Sequence, residues 1–140
     1  MIQTLIIPPR FLEVTYDSAK YPGSGECNGI ENGANCQYFA YEFLRHFGLS
    51  VPGLRSSELW EDSVYTREVH SFEPLDLIFF NKNEDPYGAH IGVYLGDNEV
   101  FHLSKEVGRP AIWDMHEFKK RPQYSYVLGG KRVVGVDGVE

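Results

Sequence analysis

Cys36, His90 and His102 are the residues of this chain whose types and placement can do covalent chemistry. Cys36 falls in the first turn of a helix expected over residues 35–47. There the unpaired backbone N–H groups and the positive end of the helix dipole favour a thiolate over a thiol. His90 and His102 fall on the two strands of an expected hairpin. Nucleophilic catalysis by cysteine needs a base within hydrogen-bond reach to take the thiol proton, and a third group to fix that base's tautomer and orientation. His90 as base and His102 as orienter would complete such a set. The plainer alternative makes Cys36 a small buried hydrophobe and leaves the two histidines solvated.

Two elements must position these groups. At 100° per residue, Cys36, Ala40, Phe43, Leu44 and Phe47 share one helical stripe, with Gln37, Tyr41, Glu42 and Arg45 outside it. Asn32 and Asn35 are candidate N-caps, and Gly48 is suited to the left-handed residue that ends a helix. In the hairpin over residues 89–104, a three-residue loop at Gly96-Asp97-Asn98 pairs Leu95 with Glu99, Val93 with Phe101 and Ile91 with Leu103. This parity gathers the apolar side chains of both strands on one face. It puts His102 opposite Gly92 and diagonal to His90 on the other face, roughly 7–8 Å apart along the backbone.

The remaining segments surround this pair. Residues 4–7 read as a short edge strand stopped by Pro8 and Pro9, residues 10–21 as a short helix, and residues 21–35 as loop. A second helix follows, with Ser56 or Ser57 as N-cap and Leu59 and Trp60 facing inward. Residues 75–80 form a brief apolar strand and residues 81–88 a solvated loop. Residues 109–113 form another strand, and 114–118 a helical turn capped by Asp114. The last strand covers 124–128, with an extension over 132–136. Helices first and an antiparallel meander afterwards is an α+β arrangement, expected here as one domain over residues 1–140.

Composition narrows the function classes. A net charge of −7 and a pI near 5.2 argue against nucleic-acid or anionic-membrane partners, which require clustered Lys and Arg. No stretch approaches the roughly 18 apolar residues that span a bilayer. The opening residues lack the pattern of a signal peptide. Two cysteines are too few for a disulfide framework. The expectation is a cytoplasmic, reduced protein. Cys27 lies in a Gly- and Asn-rich loop, His46 at the far end of the nucleophile helix, and Asp97 at the hairpin tip. His70 and His116 have no recognisable partners.

Asn35-Cys36 opens a helix, Arg55-Ser56-Ser57 follows it, and the runs Asp76-Leu77-Ile78-Phe79-Phe80, His90-Ile91-Gly92-Val93-Tyr94-Leu95-Gly96 and Phe101-His102 come after. In these motifs the chain resembles the NlpC/P60 cysteine peptidases. The likeness covers residues 21–118. The resemblance implies a papain-like fold with N-terminal helices on an antiparallel sheet, and one catalytic domain. It also implies cofactor-free hydrolysis of amides in peptidoglycan stem peptides next to a γ-linked D-glutamate. The roles it assigns are Cys36 nucleophile, His90 base and His102 third polar residue. Tyr21 corresponds to the family's oxyanion tyrosine, with Tyr16 as a competitor, since Gly23 and Ser24 stand where Trp and Gly are expected. Asn35-Cys36-Gln37-Tyr38 replaces Asp-Cys-Ser-Gly, placing a bulky Tyr38 beside a substrate subsite.

Three rival readings remain. A zinc site from Cys27, Cys36, His90 and His102 is chemically consistent, although the cysteine spacing is not a usual ligand knuckle. A binding module on the same fold, without catalysis, is another. A circularly permuted acyltransferase would place its histidine before its cysteine, and here the order is Cys, His, His.

Overall fold

The computed structural model describes residues 5–134. Asn35 caps α1 (Cys36–His46): its Oδ1 accepts the backbone N–H groups of Gln37 and Tyr38 at 3.1 and 2.8 Å, satisfying two donors that a helix start leaves unpaired. Ala40, Phe43 and Leu44 are buried as the periodicity predicts, but so are Gln37 and Tyr41 on the side expected to face solvent. Gln37 Nε2 donates to the Tyr41 hydroxyl at 2.7 Å and to the Leu54 carbonyl at 2.6 Å. Tyr41 donates to the same carbonyl at 2.7 Å. The loop after α1 folds over this side of the helix, and the polar atoms it covers bond to one another.

Six strands form one antiparallel sheet: β1 (Thr66–Val69), β2 (Leu77–Asn81), β3 (His90–Gly96), β4 (Glu99–Leu103), β5 (Pro110–Asp114) and β6 (Tyr126–Val133), in the order β1-β6-β2-β3-β4-β5. α1 packs on β3 and β4, where Phe39 and Phe43 each meet Phe101 with ring centroids 5.1 Å apart. Leu77, Phe79, Ile91 and Val93 complete that layer. On the opposite face Ile78, Phe80 and Val100 pack under Phe118 of α3 (Met115–Lys119) and Tyr124. A strand covered on both faces shows an unbroken apolar run, and this is why β2 reads Leu-Ile-Phe-Phe.

The β3–β4 hairpin pairs Val93 with Phe101 as expected, but its turn is shorter. Asp97 and Asn98 both have left-handed φ, at 50° and 67°, so the loop has two residues and Gly96, not Leu95, pairs with Glu99. A register shift between Tyr94 and Gly96 bulges Leu95 out. One residue fewer in the loop and one extra in the bulge cancel, so the parity and the faces are unchanged.

Other expectations are corrected. β1 lies between the second expected helix and residue 75, where no strand is expected. It is an edge strand whose two central residues, Arg67 and Glu68, face solvent. Residues 5–7 form no strand, and residue 4 lies outside the described residues. In place of a helix over 10–21 the chain makes one 3-10 turn, Pro9–Leu12, which buries Phe11 against Phe39 and Phe43. It then runs extended, with Asp17 N–H donating to Ala34 and Ala34 N–H to Thr15. The final strand is continuous to Val133, while residues 135–136 lie outside the described residues. The N-cap of α2 (Ser56–Glu61) is Arg55, whose N–H the Glu58 carboxylate accepts at 2.8 Å. Leu59 is fully buried, and Trp60 is half-buried against Phe79. Among the described residues no helix is long and apolar enough to cross a membrane.

Candidate active site

Cys36 is half-buried at the first position of α1. The backbone N–H groups of Ile91, Cys36 and Gln37 and the charge of Arg55 all stabilise a thiolate there, as a helix N-terminus should. Burial is nevertheless the largest influence and pushes the thiol up, so the resting sulfur is protonated. This corrects the expectation of a thiolate drawn from the helix alone. The Ile91 donor belongs to the residue after His90, so the sulfur sits beside the opening of β3. Ser56, expected as a cap, instead accepts the Gly88 N–H at 3.0 Å and ties α2 to the loop that leads into His90.

The two histidine rings meet, with Nε2 of His90 2.8 Å from Nδ1 of His102. Gly92 makes the meeting feasible: a Cβ there would lie 2.5 Å from Val100 Cγ1 and 3.1 Å from His102 Cβ. Neither ring is solvated. His90 is 8% exposed and His102 0%. Tyr124 stacks on His90 at 4.6 Å and 27°, and Trp113 and Phe118 flank His102 at 4.3 and 4.7 Å. Burial depresses both imidazoles well below the ordinary histidine range, helped at His102 by the charges of His90 and Arg121. At neutral pH the site therefore holds a thiol and two neutral imidazoles.

Trp113, Phe118, Tyr124 and Arg121 were not recognised from the sequence as part of this region. Strand parity carries a signal for one of them: Ala111 pairs with His102, and Trp113, two residues on, shares its face. Of the tyrosines, Tyr16 bridges to Ala34 at the entry to α1, and burial together with the nearby Cys36 pushes its phenol up to about 12. Tyr21 instead lies under the Arg55 guanidinium, 3.9 Å from ring centroid to cation, and its carbonyl accepts from Cys27 Sγ at 3.1 Å. Tyr38 turns its hydroxyl to the Gly29 N–H at 2.9 Å, where it pins the 21–35 loop. His70 pairs with Glu68 at 2.6 Å, and His46 and His116 are exposed.

Cys27 is engaged at Tyr21, and the two histidines are bonded to each other. Among the described residues no group of three or more His, Cys, Asp or Glu side chains could hold a metal ion.

A cysteine opening a helix that packs on an antiparallel sheet, with a bonded histidine pair on the adjoining hairpin, is the architecture of the papain-like α+β class. Within that class the chain belongs to the NlpC/P60 family, which matches residues 20–128. This is a family of cysteine peptidases and amidases directed at cell walls. An NlpC/P60 family protein from Bacillus cereus ATCC 10987 is similar, at 22% identity and a TM-score of 0.60 over 87% of this chain. The chain spans only 36% of that protein. The NlpC/p60 domain of the peptidoglycan hydrolase SagA is 16% identical, with a TM-score of 0.56 over 90% of this chain and 91% of that domain. The P60 domain of M. avium subspecies paratuberculosis antigen MAP1204 is 15% identical, with a TM-score of 0.56 over 89% of this chain and 87% of that one. At these identities the structures establish the fold. No curated protein matches the chain.

Proposed function

We propose that this domain is a cysteine endopeptidase that hydrolyses amide bonds in peptidoglycan-type peptides next to a γ-linked D-glutamate. Cys36 is the nucleophile, His90 the base and His102 the orienting group. The reading rests above all on the 2.8 Å bond between His90 Nε2 and His102 Nδ1, His90 being next in sequence to Ile91, whose backbone N–H favours a thiolate at Cys36. A buried histidine pair bonded in this way has one ring nitrogen of His90 left for the thiol.

Because the thiol and the imidazole both rest neutral, proton transfer accompanies attack. Cys36 Sγ bonds to the carbonyl carbon as its proton passes to His90. The developing oxyanion meets the Cys36 backbone N–H and the Tyr16 hydroxyl, a phenol that, like those of Tyr41 and Tyr124, feels the charge of the sulfur. Tyr16 is favoured over Tyr21, whose ring is covered by Arg55. His90 returns the proton to the leaving amine, and water hydrolyses the thioester with His90 again as base.

The test is to incubate the protein with purified stem peptides containing the γ-D-glutamyl linkage and follow new amino termini by mass spectrometry. Cleavage by the native chain and none by Cys36→Ala, with both folded by circular dichroism, is the expected result. Equal cleavage by both would refute the assignment of the nucleophile. No cleavage of any wall peptide by the native chain would refute the substrate.

A further inference from the structure

We propose that Gln37 and Tyr41 form a clamp on the Leu54 carbonyl that holds the Arg55 guanidinium beside Cys36, which makes both of them positioning residues. This rests on the assignment of Cys36 as nucleophile given above. Gln37 directly follows Cys36 and Leu54 directly precedes Arg55, so one side-chain bridge ties the nucleophile's neighbour to the cation's neighbour. Gln37 Nε2 donates to the Leu54 carbonyl at 2.6 Å and to the Tyr41 hydroxyl at 2.7 Å. That hydroxyl donates to the same carbonyl at 2.7 Å. The triangle is closed: both amide hydrogens, the phenol hydrogen and both lone pairs of the carbonyl are used. Gln37 and Tyr41 are buried, so a bond lost here leaves polar atoms without water to replace it. A serine at position 37, as in the motif from which this chain departs, has a shorter side chain and could not make the bridge.

The segment that carries Arg55 is pinned on its other side as well. Ser56 Oγ accepts the Gly88 N–H at 3.0 Å, on the loop that enters His90. Residues 54–56 are thus fastened both to the helix of Cys36 and to the approach to β3. The guanidinium lies on the Tyr21 ring at 3.9 Å. Among the described residues no carboxylate pairs with it, so its charge is not neutralised at close range. Burial raises the Cys36 thiol most, and the Arg55 charge works against it. That help falls with distance and with exposure to water. Arg55 is exposed, so the protein has to hold it in place through its backbone, and the buried Gln37–Tyr41–Leu54 triangle is the anchor next to it.

The test follows iodoacetamide alkylation of Cys36 against pH, read on the Cys36-containing peptide by mass spectrometry so that Cys27 does not contribute. Arg55→Met is expected to move the profile up by roughly half a pH unit, a rate about threefold lower on its rising limb. Gln37→Met and Tyr41→Phe should each move it the same way, with the alkaline plateau unchanged, because ionisation of the thiol has altered and access to it has not. In the Arg55→Met background neither clamp substitution should shift the profile further, since all three act through one charge. Clamp variants with the native profile, a change confined to the plateau, or shifts that add to that of Arg55→Met would overturn the proposal. So would an Arg55→Met profile equal to the native one. Tyr41→Phe, which loses a single hydroxyl, decides the matter if Gln37→Met does not fold. Alkylation requires no turnover. A chain that shows these shifts but cleaves no stem peptide would sink the peptidase reading alone, and a chain that cleaves but lacks the shifts would sink the clamp alone.

Discussion

Arg132 reaches both carboxylate oxygens of Asp76, with Nε to Oδ1 and NH2 to Oδ2 each at 2.8 Å, across 56 residues of sequence. Asp76 is 1% exposed and also accepts the Glu73 N–H at 2.7 Å. A carboxylate tolerates this burial because its charge is paired and its lone pairs are bonded.

Removing the guanidinium should therefore cost far more than removing a surface ion pair. Arg132→Met leaves a buried anion with one backbone donor and is expected to lower stability by about 3 kcal/mol. Urea unfolding measures this, and a loss below about 1 kcal/mol would place the pair among ordinary surface contacts.

Stability is expected to peak between about pH 6.5 and 8.5. On the acid side, His90 and His102 have folded-state values depressed by burial. Below about pH 6.5 the unfolded chain binds protons that the fold refuses, and up to about 2.7 kcal/mol is lost per pH unit for the two groups. On the alkaline side the Cys36 thiol is raised. Above about pH 8.5 only the unfolded thiol ionises, and stability falls again, by up to about 1.4 kcal/mol per unit. His102→Asn should halve the acid slope and Cys36→Ala should flatten the fall near pH 9. Denaturant melts across pH check both, and unchanged slopes would contradict the burial of these groups.

The two tyrosines separate kinetically. Tyr16→Phe is expected to lower kcat by a factor on the order of 100 if its hydroxyl meets the oxyanion. Tyr21→Phe should stay within about threefold, since its ring serves as a platform for Arg55. The reverse ranking in steady-state kinetics would return the role to Tyr21.

Gly92→Ala tests the spacing of the histidines. The new Cβ collides with Val100 Cγ1 at 2.5 Å and presses on His102 Cβ at 3.1 Å. A loss of about 2 kcal/mol is expected, together with lower activity. Adding Val100→Ala should recover much of the stability by opening the first contact, but not the activity, because the second persists. Recovery of both would show that His102 never moved.

α1 is legible in the sequence because its periodicity, the cap at Asn35 and the stop at Gly48 all agree. The hairpin is legible because alternation fixes parity even where the loop length is misjudged; the Leu95 bulge absorbs the difference. β1 is not legible, since an edge strand with charges outward resembles a loop until β6 pairs with it. The choice between Tyr16 and Tyr21 is not legible for a similar reason. The chain between Tyr16 and Ala34 closes on itself through backbone bonds, which no side-chain pattern records. The cover over the histidines comes from β5, α3 and Tyr124, and it depends on contacts that short-range spacing does not encode.

β6, the last strand among the described residues, lies inside the sheet, between β1 and β2. During synthesis those two strands emerge first and wait with open edges until β6 has left the ribosome. Only then can Arg132 reach Asp76 and Lys131 cap the end of α2 through the Trp60 and Asp62 carbonyls. The sheet therefore closes by a slow, non-local final pairing. A chain stopped before β6 would present two unpaired edges to its neighbours and aggregate rather than remain a smaller version of the same fold.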